Sequence, residues 1–179
     1  MIALYAFAQE EGTLDIKTTK KLTKEQRIEQ KRLDEAVMAK IVDSLVEHRK
    51  FVLEADFLSN QSGQRVIVNN LLNFIMIDSS SIIIQFASTT GIGGPNGMGG
   101  VTARGRISSF EVKKTGKKKD IYYVRLMANT TIGIYDIFMS ISPSSNTNAT
   151  ISGITRGKLN YHGNIKPLGQ SRVFKGMSI

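Results

Sequence analysis

Lys50-Phe51-Val52-Leu53-Glu54-Ala55-Asp56-Phe57-Leu58 marks the place where the chain changes its period. Alternation over these residues predicts a strand, with Phe51, Leu53, Ala55 and Phe57 on one face and Val52, Glu54, Asp56 and Leu58 on the other. Upstream the period is helical. From Lys24 to about Arg49 there is neither Gly nor Pro, and Thr23-Lys24-Glu25-Gln26 spells a capping box. A helix of about 39 Å is expected, its apolar residues (Val37, Ile41, Leu45, Val42, Val46) densest in the second half. That half should dock on the body, leaving the charged first half in solvent.

Downstream, β-rich runs recur at 65–77, 81–87, 101–114, 121–128, 132–141, 149–155 and 159–166. Asn60-Gln61-Ser62-Gly63, Asp78-Ser79-Ser80, Thr115-Gly116, Asn129-Thr130, 143–148 and Gly157 punctuate them. With no second helix to carry a parallel crossover, about eight short strands predict a mainly β fold, an antiparallel meander after one long N-terminal helix. Such a sheet must close as a barrel, a lipocalin-like one among the options, or fold as a sandwich to protect its edges.

Residues 1–8, Met-Ile-Ala-Leu-Tyr-Ala-Phe-Ala, are uncharged and precede Gln9, Glu10 and Glu11. They read as the remnant of a signal peptide: Ala6-Phe7-Ala8 fits the small-x-small rule, placing cleavage after Ala8 and the protein in the periplasm or outside the cell. Eight apolar residues cannot span a bilayer. The expected organisation is thus a signal remnant at 1–8, a flexible tail at 9–22, a charged amphipathic helix at 23–50 and an antiparallel β-domain at 51–179.

The 179 residues suffice for one core. The absence of cysteine excludes disulfides, thiolate chemistry and Cys-based metal sites within these residues, and no lipoprotein anchor is expected. Nothing in the sequence calls for a cofactor. The formal charge of +9 favours anionic partners by steering, although a charge spread over a whole surface chiefly confers solubility.

Two stretches invite a ligand. Gly91 to Gly100 is glycine-rich, but a strand follows it where a phosphate-binding loop needs a helix. It is expected as a hairpin tip at a barrel mouth, with Gly93, Gly94, Asn96, Gly97 and Gly99 as candidate ligand contacts. Lys113, Lys114, Lys117, Lys118 and Lys119 crowd around Gly116 as a candidate anion site; with only Tyr122 and Tyr123 near, the pattern is not that of a nucleic-acid binder. Neither His48 nor His162 has a metal-ligand neighbour pattern, and no catalytic or metal residue is assigned. Glu54 and Asp56 share a predicted strand face, the minimum for acid–base work.

Several of these motifs, taken in order, carry a resemblance: Leu22-Thr23-Lys24-Glu25-Gln26, Phe51 to Asp56, Asn73-Phe74, Gly94-Pro95-Asn96-Gly97, Gly99-Gly100-Val101-Thr102 and Ser171 to Gly176. The chain resembles domain-of-unknown-function family 4251, small exported proteins of Bacteroides-type bacteria. The resemblance implies export, a mainly β domain and no assigned activity; some members resemble lipoproteins, from which this cysteine-free chain departs. The expected function is that of an exported, non-enzymatic binding module for a small hydrophobic or anionic ligand. The alternative is a structural component that docks an envelope protein through the helix; a basic nucleic-acid binder, or a hydrolase built on Glu54 and Asp56, ranks below both.

Overall fold

The structure, a computed structural model, describes residues 23–88, 99–116, 120–155 and 157–175. Helix α1 runs Lys24–Glu47. Thr23 Oγ1 accepts from the Gln26 amide at 3.4 Å and Gln26 Oε1 from the Thr23 amide at 3.0 Å, completing the expected box. The helix stops at Glu47, short of the expected end, because Arg49 adopts a left-handed backbone (φ 53°) that turns the chain into the first strand. Residues 23–38 are all exposed, whereas Val42 and Val46 are buried in the core. Only the second half docks, as the denser apolar spacing there predicts.

The strands are β1 (Lys50–Asn60), β2 (Arg65–Ile67), β3 (Phe74–Asp78), β4 (Ser81–Ser88), β5 (Gly99–Thr115), β6 (Ile121–Thr130), β7 (Gly133–Ile141), β8 (Asn146–Thr155) and β9 (Gly157–Lys166). Every pairing is antiparallel, and β1 pairs with β9, so β1 and β3 to β9 close an eight-stranded barrel with β2 as an extra strand. That settles barrel against sandwich.

Three expectations are corrected. The run at 65–77 is not one strand. Asn69 Oδ1 accepts from the Leu71 amide at 2.9 Å and the Asn69 carbonyl accepts from Leu72 and Asn73, so asparagine pulls the backbone into a turn between β2 and β3. The turn expected over 143–148 is tighter: Ser145 takes a left-handed φ of 69° and β8 resumes at Asn146.

The third correction shapes the site. Ala55 pairs with Gly163 but Phe57 with His162, so Asp56 is the extra residue of a β-bulge. A one-residue slip exchanges the faces of everything beyond it. Leu58, not Phe57, therefore joins Phe51, Leu53 and Ala55 inside, and Phe57 and Ser59 turn to the outer wall.

Among the described residues the interior is occupied by side chains, one of the two uses that the diameter of an eight-stranded barrel allows. Isoleucines 75, 77, 82, 84, 137, 141 and 151 pack there with Phe51, Phe86, Leu126, Tyr135 and Tyr161. A second bulge, at Ser108 of β5, turns Phe110 and Val112 toward the end of the barrel that α1 covers. There Asp43 Oδ1 accepts from the Tyr122 hydroxyl at 2.7 Å and from Lys114 Nζ at 3.1 Å. The Tyr122 hydrogen bond, aided by Lys114, holds the Asp43 carboxyl below its ordinary 3.8. Asp43→Ala should cost about 1 kcal/mol, the pair being half exposed; hydrogen exchange in 40–47 is the readout, and unchanged protection there would show that Val42 and Val46 dock the helix alone.

Candidate functional site

Residues 167–175 strap the outer wall over β1, β3 and β4. Leu168 and Val173 pack on Val52, Phe74 and Met76. Gln85 Nε2 donates to the Phe174 carbonyl at 2.9 Å, and Glu54, 4% exposed, accepts from Lys166 and Ser171, each at 2.7 Å. The Glu54–Asp56 pair therefore does not converge: Glu54 lies under the strap, and Asp56 is exposed at the bulge, within 3.4 Å of Asn164. Lys166→Met should leave the buried Glu54 carboxylate with one partner, at a cost of about 2 kcal/mol by denaturant unfolding; a loss below a few tenths would mean that the strap is not anchored there.

Around the barrel from the strapped strands, the wall of β6 to β9 continues into β1 beyond the bulge. Register aligns its outward side chains in rows. The first is Tyr123, Ser140, Asn148, His162 and Phe57; the second is Arg125, Phe138, Thr150, Asn160 and Ser59; the third is Met127, Asp136, Ser152 and Lys158. Arg125, Asp136, Phe138, Thr150, Ser152 and Lys158 line a shallow groove of about 420 Å³. Arg125 forks onto Asp136 at 3.0 and 3.4 Å, which raises its already high pKa. The Phe138 ring, 46% exposed, lies 5.9 Å from Tyr123 at an interplanar angle of 18°.

Beside the groove, Asn148 Oδ1 meets His162 Nδ1 at 2.6 Å, His162 Nε2 meets Ser59 Oγ at 3.0 Å, and Thr150 donates to Asn160, which in turn reaches Ser59 at 3.4 Å. His162 stacks on Phe57 (4.7 Å, 17°), whose ring also carries Arg65 at 5.2 Å. Burial, then the Arg65 charge, lowers the His162 pKa below 6.5. A base that resists protonation in the fold gives stability that is complete above about pH 6.5 and lost as pH falls through the depressed native value. Melting temperature should therefore drop from pH 7 to 5 by more in the native protein than in His162→Gln; parallel pH curves would contradict this.

The order serine, histidine, asparagine is that of a nucleophile, its base and the group orienting the base. Its surroundings are not. Ser59 is 5% exposed and paired on both edges, with Arg65 and Asn160, and amides committed to ladders cannot turn toward a developing oxyanion. The relay fixes side chains on the wall.

Of the residues singled out from sequence, Gly93, Gly94, Asn96 and Gly97 lie outside the described residues, and Gly99 opens β5 opposite Ser88. Residues 1–8 and 9–22 also lie outside them. Lys113 and Lys114 sit near the end of β5, and Lys114 is engaged by Asp43 and by Asp120 at 3.6 Å; Lys117 to Lys119 are not described. Among the described residues no cluster of His, Asp or Glu could hold a metal, and no helix is long and apolar enough to cross a membrane.

A family model described as domain of unknown function DUF4251 matches residues 34–165. The crystal structure of a DUF4251 family protein from Bacteroides eggerthii is similar, at 27% identity over 80% of this chain and 97% of that one, with a TM-score of 0.66. No curated protein matches.

Proposed function

The chain belongs to the DUF4251 family, and from that premise we propose that it is an exported, non-enzymatic binding module whose ligand seats on the outer wall of β6 to β9. The observation carrying this reading is the pairing of a packed interior with the groove at Arg125, Asp136, Phe138, Thr150, Ser152 and Lys158. A small hydrophobic ligand would need room inside, and isoleucine, leucine and tyrosine side chains occupy it. An anion at the lysine-rich turn would have to share Lys114 with two carboxylates. Export rests on Ala6-Phe7-Ala8 before Gln9, with the periplasm or cell exterior as destination.

A second reading has its own observation. Ile28, Leu33 and Val37 are each more than half exposed on the stretch of α1 up to residue 38 that lies in solvent, which suits a helix that docks an envelope protein.

Amide chemical-shift mapping separates these readings, with neutral oligosaccharides, inorganic phosphate and laurate as probes. Shifts confined to 123–127, 136–140, 148–152 and 158–162 are expected for at least one probe. Laurate shifting the amides around Tyr135 and Tyr161, or silence of the wall toward every probe, would overturn the proposal.

A further inference from the structure

We infer that the wall ligand is a neutral, polyhydroxylated chain, a short oligosaccharide, held by amide and hydroxyl side chains with Phe138 as its stacking platform. The inference rests on the proposed wall site and names its ligand class. Three properties of the wall carry it.

The first is its donor and acceptor set. Thr150, Asn160, Asn148 and Ser152 offer hydroxyls and planar amides, groups that donate and accept within one side chain as sugar hydroxyls do. The Thr150–Asn160–Ser59 and Asn148–His162–Ser59 hydrogen bonds hold several of them in fixed orientations, so little rotamer freedom remains to be lost on binding.

The second is charge. Arg125 and Asp136 neutralise each other at 3.0 Å, leaving Lys158 as the one unpaired charge among the described residues that line the groove, in a chain that carries +9. A phosphate or acidic-chain site concentrates arginine and lysine; this face disperses them.

The third is shape. The half-exposed Phe138 ring, backed by Tyr123, presents a flat apolar surface among polar neighbours, which suits a ring with one apolar face and a polar rim. Four strands about 4.8 Å apart span roughly 14 Å, room for about three pyranose rings.

The test is titration of the full chain against an array of neutral oligosaccharides, followed by chemical-shift mapping and calorimetry at low and high salt. The expected result is a neutral oligosaccharide that shifts the wall amides, binds equally at both salt concentrations, and loses at least tenfold affinity in Phe138→Ala and about fivefold in Asn160→Ala. Phe138→Ala should melt like the native protein because its ring is half exposed. Ser152→Arg, which fills the groove, gives a second variant should Asn160→Ala misfold. Wall amides shifting with inorganic phosphate or an acidic peptide, while all neutral oligosaccharides leave them unmoved, would overturn the ligand class and leave the wall site standing. Wall amides silent toward every probe would overturn both.

Discussion

Tyr161→Ala is expected to unfold the protein about 4 kcal/mol more easily, lowering the melting temperature by roughly 10 °C. Tyr161 is fully buried, and its hydroxyl crosses the barrel to donate to the Gln85 carbonyl at 3.1 Å. Burial pushes its phenol pKa far above 10.0, so it stays a neutral donor at any pH at which the fold survives. Truncation removes a large side chain where Leu58 packs from the opposing strand position, leaving a cavity that a closed barrel cannot collapse to fill. Tyr161→Phe separates packing from the hydrogen bond and should cost only about 1 kcal/mol. Denaturant unfolding with an unchanged slope is the readout, and near-equal losses for the two variants would show that the hydroxyl, not the volume, matters.

Gly163→Ala should cost about 3 kcal/mol, a large value for one methyl group. A Cβ built at Gly163 overlaps the carbonyl oxygen of Glu54 and crowds Ala55 Cα, both backbone atoms that cannot rotate away. Gly163 sits opposite the Asp56 bulge, where β1 and β9 approach closely. Gly169→Ala, with nothing within 4 Å of the added methyl, is the control and should lie within about 0.5 kcal/mol of the native protein. If both substitutions proved equally mild, the close approach of β1 and β9 would be refuted.

The helix was legible because its start is chemical, a capping box, and its docked half is visible in the spacing of Val42 and Val46. Barrel closure was legible only as a need, since alternation says that edges must be protected and not how. The outer wall was not legible, first because of Asp56. Phe57 and Leu58 are both apolar, so the sequence fits either register, and strict alternation places Phe57 inside with Ser59 behind it. The bulge reverses both, bringing Ser59 to His162 across 103 residues of chain. The bulge at Ser108 did leave a sign, because Ile107-Ser108-Ser109-Phe110 interrupts the alternation with two adjacent polar residues. The strand break at 68–73 had a sign too, in the asparagines at 69, 70 and 73. Cross-strand rows such as Arg125, Phe138, Thr150 and Asn160 come from four separate strands, and only register joins them.

Nuclear Overhauser contacts across β1 and β9 test whether the Asp56 bulge turns Phe57 and Ser59 out onto the proposed ligand wall. Contacts are expected between the Leu58 methyls and the Tyr161 ring inside the barrel, and between the Phe57 and His162 rings outside it. Phe57 in contact with the Tyr161 ring, with the Leu58 methyls quenched by a soluble paramagnetic agent, would mean an unbulged register and a wall without Phe57 and Ser59.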